Sequence, residues 1–392
     1  MKDKINILFI LESLYGGGGV ERVTLNLVKY LNRSKFSPQI VVLGKSRSDI
    51  SDIPQDVGVN FLGKSHARES LTALYNTFAE KNPDLIYSAK MQINIISILA
   101  NLLNNRRSKI IISEHAHLST LFHYEAIARK LKLLPTFLLA SLVYRYADKI
   151  VCISKLASQD LRILLHLPLD KVVSIYNPVI DDLVLKKALL DVDHPWFIEK
   201  REKPVILAIG RLTKQKGFTY LLRAFAKVKD IIPSRLVILG EGEDYGNLLE
   251  LTRSLKIDQD VAFLGFQGNS YSYMAKCDIF VLSSLWEGLP TALIEAMACG
   301  VPVISSKCPS GPEEIIIDGI NGLLVPPGNS EALAEAMIRL LNNKDLAQKL
   351  SSAAKERAKD FSVEKIVPQY ENLFENILAD KYDETKINYI NK

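Results

Sequence analysis

Short apolar, β-branched runs alternate with helix-compatible stretches along this chain, and the alternation runs its course twice. The first set of strand-like runs is Ile5 to Leu11, Gln39 to Val42, Asp84 to Tyr87, Lys109 to Ser113 and Lys149 to Ile153. The second restarts at Pro204 to Ile209 and continues with Arg235 to Leu239, Val261 to Leu264, Ile279 to Leu282, Val301 to Ser305 and Gly322 to Val325. Apolar strands separated by helices specify parallel sheets covered on both faces, because each helical crossover returns the chain in the same direction. Between the sets, Asn177 to Lys203 carries two prolines, many charges and no clean period, which places an interdomain linker there. A chain of 392 residues has room for two such domains. The expectation is two doubly wound α/β domains facing a cleft: 1–178, a linker at 179–203, and 204–362. Residues 363–392 are read as a helix to about Asp380 followed by a frayed tail.

Composition narrows the class. Hydrophobic residues make up 48% and charged residues 24%, the balance of an ordinary globular protein rather than a disordered one. Cys152, Cys277, Cys299 and Cys308 form no C-x-x-C pair and sit in or beside apolar segments, so buried reduced thiols are expected rather than disulfides or metal ligands, in a cytoplasmic setting. The N-terminal apolar run stops at Glu12, too short for a secretory signal and suited to a buried first strand. No run reaches transmembrane length. The net charge of +5 is uneven: residues 1–178 hold 23 Lys and Arg against 14 Asp and Glu, leaving 26 against 30 for the remainder. The stretch Ala128 to Arg145 mixes basic and apolar residues; it fits an anionic bilayer surface and equally a core helix with solvated ends. Nucleic acid is not expected as a partner, since basic and aromatic residues do not interleave.

The chemistry concentrates in Trp286 to Val303. An apolar strand leads into Glu287, Gly288 permits a tight turn, Pro290 suits the first turn of a helix and Gly300 its end. The unpaired N–H groups from about Leu289 to Ala292, among which Pro290 has none to offer and Thr291 does, would carry partial positive charge, which favours a diphosphate or sugar oxygen. Glu287 stands at that mouth, and Glu295, farther into the helix, can accept from a ribose diol. Taken alone, two acids can also simply decorate a helix start. A second candidate, Gly16-Gly17-Gly18-Gly19, follows the first strand and lets backbone approach a ligand closely. A G-x-G-x-x-G frame opening at Gly16 meets Glu21 at its third glycine and one opening at Gly17 meets Arg22. No acid follows Val42 either, so dinucleotide binding is disfavoured.

Glu287 and Glu295 before Gly300-Val-Pro-Val303, Gly210-Arg-Leu-Thr-Lys-Gln-Lys-Gly217 upstream, and the glycine-rich turn together resemble the family 4 glycosyltransferases, over nearly the whole chain. That resemblance implies the GT-B architecture, two Rossmann-like doubly wound domains, with the tail helix crossing back onto the first. It implies a retaining transfer of a hexose or N-acetylhexosamine from a nucleotide diphosphate sugar, most simply a UDP-sugar, which is a co-substrate; no cofactor is expected. Arg211 and Lys216 at the end of a strand would neutralise the leaving diphosphate, the work a metal performs elsewhere, so no metal is expected. Asp191-Val-Asp193 and Asp258-Gln-Asp260 are read as chance triplets.

By the same resemblance His115, in Ser113-Glu-His-Ala-His117, would bond a sugar hydroxyl or stabilise charge, with His117 the weaker candidate. Phe266 would lie near the nucleotide base, where a core aromatic is the competing reading. Gly17, Gly18 and Gly288 to Thr291 would line the donor site. Cys308-Pro-Ser-Gly-Pro-Glu-Glu-Ile315 departs from the family's commoner Gly-Gly form and resembles bacterial enzymes that extend lipid-linked or capsular saccharides. A polyprenyl-diphosphate saccharide acceptor at the inner membrane face would suit the basic first domain. A sugar-nucleotide epimerase of the same architecture and a non-catalytic nucleotide-sugar-binding protein remain as alternatives.

Overall fold

The computed structural model describes residues 4–14, 19–44, 52–64, 67–120, 127–197 and 202–390. The chain divides into two compact units, one made of Met1–Pro178 with Val363–Lys392, the other of Val179–Ser362.

The first unit holds a seven-stranded sheet: β1 (Ile5–Leu11), β2 (Phe36–Val42), β3 (Gly58–Phe61), β4 (Leu85–Ala89), β5 (Lys109–Glu114), β6 (Lys149–Cys152) and β7 (Val172–Ser174). Their order is β3-β2-β1-β4-β5-β6-β7, every pair parallel. Alternate residues of each strand feed opposite cores. Leu8, Ile10, Ile86, Ile110, Ile112 and Ile150 pack on one face. Ile7, Phe9, Tyr87, Ile111 and Val151 pack on the other, beneath Tyr370 and Phe374 of the C-terminal helix Val363–Ile390. The Tyr87 ring meets the Tyr370 and Phe374 rings edge-on at 6.1 and 6.2 Å, so this helix supplies the apolar lid of that face. It runs ten residues past the expected end at Asp380. β3 and β7 are edge strands with half-exposed residues, and lack the continuous apolar run by which the inner strands are recognised.

The second unit holds six parallel strands: β8 (Val205–Ile209), β9 (Arg235–Leu239), β10 (Val261–Phe263), β11 (Ile279–Leu282), β12 (Val303–Ser306) and β13 (Leu323–Val325), in the order β10-β9-β8-β11-β12-β13. The chain builds outward from β8 to β10, then crosses back to lay β11 beside β8. At such a reversal the loops leave in opposite directions and open a crevice at the carboxyl ends of the two central strands.

The expected linker at 179–203 is corrected. Its described residues up to Phe197 belong to the second unit. Val179 and Ile180 N–H groups donate to the Phe361 carbonyl at 2.9 and 3.1 Å. Asp181 caps the helix Asp182–Ala188 by accepting from Val184 N at 3.1 Å. The Phe197 ring packs on Tyr273 at 5.1 Å, and the Arg235 guanidinium lies over Trp196 at 4.7 Å. The charges that suggested a solvated linker are a cap and the solvent face of a short helix; the anchors are aromatic.

Candidate active site

Two loops meet at the crevice between β8 and β11. After β8 the chain makes a tight turn over Lys214–Lys216 and enters the helix Phe218–Ile231 through Gly217, whose φ is +62°. A Cβ there would also stand 2.2 Å from the Ser283 carbonyl oxygen, so only glycine lets the two loops touch. Across the gap, Ser283 Oγ donates to the Lys216 carbonyl at 2.8 Å and Leu285 N to the Gln215 carbonyl at 2.8 Å. Gln215 Nε2 returns a bond to the Trp286 carbonyl at 2.9 Å. These bonds stitch residues 215–216 to 283–286 through both main chain and side chains.

That stitching brings Lys216 and Glu287 together. Lys216 Nζ lies 2.6 Å from Glu287 Oε1, and Ser284 Oγ donates to the same oxygen at 2.6 Å. Both bonds fall on Oε1, so Oε2 retains lone pairs for a further donor. The pair is largely withdrawn from solvent, with side-chain exposures of 18% for Lys216 and 8% for Glu287. Gly210 makes room for the lysine stem: a Cβ there would stand 3.0 to 3.1 Å from Lys216 Cγ, Cδ and Cε.

The next loop joins the same edge. The Gly288 carbonyl accepts from Gly311 N at 2.8 Å and from Ser310 Oγ at 3.0 Å. Ser310 itself sits at φ +82°, a left-handed conformation unusual for a residue with a Cβ. The helix Thr291–Ala298 starts one residue after Pro290, which is its N-cap in extended conformation rather than a member of the first turn as the sequence suggests. Leu289 and Pro290 are buried, whereas Gly288, Thr291 and Ala292 keep accessible surface at the helix start. Glu295 is buried on that helix, 4% exposed. Arg211 is exposed where the chain leaves β8. Phe266 is 60% exposed in the loop after β10, its N–H 3.4 Å from Glu241 Oε1 of the loop after β9. The edge of the second unit thus carries, in order, Phe266, Glu241, Arg211 with Lys216, Glu287 with Gly288, and Ser310. Ser283, Ser284, Gln215 and Ser310 were not singled out from sequence. Their one signal is polarity at the tips of apolar strands.

In the first unit, β5 delivers His115. Its Nε2 lies 3.0 Å from Ser113 Oγ. The ring keeps some accessible surface but is densely surrounded; burial first, then the Lys90 charge, lowers its pKa to about 4. At neutral pH it is an uncharged hydrogen-bonding group, not a standing cation. Beneath it Glu114 is buried, hydrogen-bonded by the Tyr144 hydroxyl and by Asn94 Nδ2 at 2.9 Å, and burial pushes its carboxyl up to about 7. Lys90, at the tip of β4 with φ 78° and ψ 137°, pairs with Glu21 at 2.5 Å and Glu12 at 3.0 Å. His117 Nδ1 lies 3.3 Å from Asp160 Oδ2. Gly16, Gly17 and Gly18 lie outside the described residues.

The four cysteines are free thiols, and burial raises the pKa of Cys152 and Cys308. Both D-x-D triplets are used in local ion pairs: Asp191 with Lys276 at 2.7 Å, Asp260 with Lys203 at 2.9 Å and Lys229 at 2.6 Å. Among the described residues no group of three His, Cys, Asp or Glu is placed to hold a metal ion. Among them, too, no helix is long and apolar enough to cross a membrane. The helix Ile127–Val143 instead buries Ala140 and Val143 while exposing Leu134, Leu138, Leu139 and Leu142. Its basic residues Arg129, Lys130 and Lys132 have side chains outside the described set.

Comparison with known proteins places this geometry. The family profile Glycosyl transferases group 1 matches residues 193–357, and Glycosyltransferase Family 4 matches residues 17–183. An N-acetylgalactosamine-N,N'-diacetylbacillosaminyl-diphospho-undecaprenol 4-alpha-N-acetylgalactosaminyltransferase of Campylobacter jejuni is 31% identical over 365 residues, covering 90% of this chain and 94% of that protein. An uncharacterised glycosyltransferase of Methanocaldococcus jannaschii is 36% identical over 204 residues, 44% of this chain and half of that protein's length. The crystal structure of Anabaena HepE in complex with UDP superposes with a TM-score of 0.79 at 20% identity, over 95% of this chain and 100% of that one, a likeness of fold. The chain is a GT-B glycosyltransferase and belongs to glycosyltransferase family 4.

Proposed function

We propose that this enzyme is a retaining, metal-independent transferase that moves a hexose or N-acetylhexosamine from a UDP-sugar to a saccharide or polyprenyl-diphosphate-linked saccharide in cell-surface glycan assembly. The observation that carries the reading is the Lys216, Glu287 and Ser284 cluster at the reversal between β8 and β11, beside an accessible helix start. The ammonium of Lys216 and the guanidinium of Arg211 balance the charge of the diphosphate as it leaves. Glu287, through Oε2, and the N–H groups of Gly288, Leu289 and Thr291, Pro290 having none, hold the sugar hydroxyls. Glu295 takes the ribose, and Phe266, exposed two strands away from β8, stacks on the base. His115 supplies a neutral imidazole to the transferred sugar.

The acceptor class is supported by the Campylobacter relative, whose name specifies transfer to a diphospho-undecaprenol-linked sugar, and the donor base by UDP in the HepE structure. The exposed leucines of Ile127–Val143 favour a peripheral position on an anionic cytoplasmic membrane face. Family membership favours transfer over the epimerase and binding-protein readings.

The test is turnover with UDP-N-acetylgalactosamine, UDP-N-acetylglucosamine and UDP-glucose, with and without an undecaprenyl-diphosphate saccharide, in EDTA. Acceptor-dependent formation of an α-linked product, resolved by NMR, is expected with one of them. A β-linked product overturns retention, activity restored only by added divalent metal overturns metal independence, and donor conversion without acceptor restores the epimerase reading.

A further inference from the structure

Ser310 combines a strained backbone with complete burial. Its φ of +82° lies in the left-handed region, which disfavours a residue with a Cβ and suits glycine. What serine offers there and glycine cannot is a hydroxyl, which donates to the Gly288 carbonyl at 3.0 Å. The next residue binds the same oxygen, Gly311 N donating to it at 2.8 Å. Gly311 has to be glycine for this approach, because a Cβ there would stand 2.5 Å from that oxygen and 2.5 Å from Pro290 Cδ. The loop that carries both donors is braced from behind. Arg357 of the helix Lys344–Ala358 donates through Nη2 to the Glu314 carbonyl at 2.6 Å and through Nε to the Ile315 carbonyl at 3.4 Å. Strain kept at a braced, buried position beside a candidate site points to a use for the group that requires it.

A carbonyl held by two donors fixes the plane of its peptide. In a trans peptide the C=O and the following N–H leave on opposite edges, so pinning the Gly288 oxygen toward residues 310 and 311 turns the Leu289 N–H away from them. Leu289 is buried, and among the described residues its N–H meets no acceptor, which leaves a donor with a bond still to make. The flanking carbonyls are held independently: that of Trp286 by Gln215 Nε2 at 2.9 Å, that of Pro290 by Leu293 N at 3.1 Å in the first helical turn. Between them Gly288 has the backbone freedom to let its peptide rotate, and the two bonds from 310 and 311 remove it. We propose that Ser310 is a positioning residue for the transferred sugar: its hydroxyl, with the Gly311 N–H, locks the Gly288–Leu289 peptide so that the Leu289 N–H is presented to a sugar hydroxyl. The inference rests on the reading of Gly288 to Thr291 as the sugar-holding loop and names the residue that aims it.

The test compares the full-length wild type, Ser310→Ala and Ser310→Gly in three measurements: melting temperature, affinity for UDP, and kcat with whichever of UDP-N-acetylgalactosamine, UDP-N-acetylglucosamine and UDP-glucose the wild type uses. Ser310→Ala keeps the strain and loses the hydroxyl; it should lower kcat about tenfold, the worth of one hydrogen bond, with UDP affinity unchanged. Ser310→Gly relieves the strain and should melt above Ser310→Ala, while turning over no faster than it. A merely structural role would instead let turnover recover with stability. Wild-type kcat in both variants, turnover that recovers with the melting temperature in Ser310→Gly, or a loss of UDP affinity as large as the loss of kcat overturns the proposal. Lys216→Ala, measured alongside, keeps the two readings apart. If it binds UDP as the wild type does, the site reading falls and this proposal with it; if it loses UDP while the Ser310 variants turn over normally, only the role of Ser310 falls.

Discussion

Lys216 Nζ and Glu287 Oε1 are 2.6 Å apart at the carboxyl ends of two neighbouring strands, though 71 positions separate the residues in the chain. The pair is mostly buried, and removing either partner leaves the other charge uncompensated. Lys216→Ala and Glu287→Ala should each destabilise the second unit, and the double variant should lose less than the sum, by about 1–3 kcal/mol. Denaturant unfolding of the four proteins measures that coupling. Strict additivity contradicts a working ion pair.

Gly210 and Gly217 should respond differently to an added methyl group. At Gly210 the neighbour is the flexible stem of Lys216, which can swing aside, so Gly210→Ala should fold normally while weakening nucleotide binding. At Gly217 the neighbour is the Ser283 carbonyl and φ is +62°, so strain and clash together should cost on the order of 3 kcal/mol. Melting temperature and nucleotide affinity, measured on both variants, separate the two. Equal destabilisation contradicts the assignment.

Glu114 should make the first unit sensitive to pH. Burial raises its folded-state pKa from 4.5 to about 7, so folding favours the protonated carboxyl. Its stabilising contribution is complete below the unfolded value and is lost as pH rises through the folded one. Up to about 3 kcal/mol is at stake between those limits. Glu114→Gln, always neutral, should therefore gain stability over wild type at pH 8 relative to the difference at pH 4.5. Unfolding midpoints at the two pH values measure it; a gain at the acid end instead would contradict the buried-proton account.

Leu138 and Leu142 are 54% and 59% exposed on one face of the helix Ile127–Val143. Replacing both with glutamate should change stability by no more than about 0.5 kcal/mol each, because exposed positions tolerate substitution. Co-sedimentation of the wild type with anionic vesicles at low salt should be lost in the double variant. If the wild type does not sediment, or the variant sediments equally, the membrane placement falls.

The inner strands were legible because buried parallel strands read as unbroken apolar runs. Ile5 to Leu11, Arg235 to Leu239 and Ile279 to Leu282 fall where the sequence places them. β3 and β7, at the edge with half-exposed residues, carry no such signal. The stretch 179–197 was misread because a capped seven-residue helix and its aromatic anchors look, residue by residue, like a charged linker. The glycines and charges of the candidate site were visible as types, but their partners were not. Nothing in Leu282-Ser-Ser-Leu285 announces that Ser284 will bond Glu287 and Ser283 the Lys216 carbonyl, because those bonds arise only when β8 and β11 become neighbours. The exposure of Phe266 and the lowered pKa of His115 likewise depend on what the fold packs around them.

Thermal unfolding of the wild type and Lys216→Ala with UDP, GDP, ADP or NAD tests most directly whether the β8 and β11 edge is the nucleotide-sugar site. UDP at one hundred times its dissociation constant should stabilise the wild type by about 2.7 kcal/mol. That stabilisation should vanish in Lys216→Ala, measured against the variant's own unliganded melting temperature. Stabilisation by NAD alone, or an equal response to UDP in both proteins, would contradict the site.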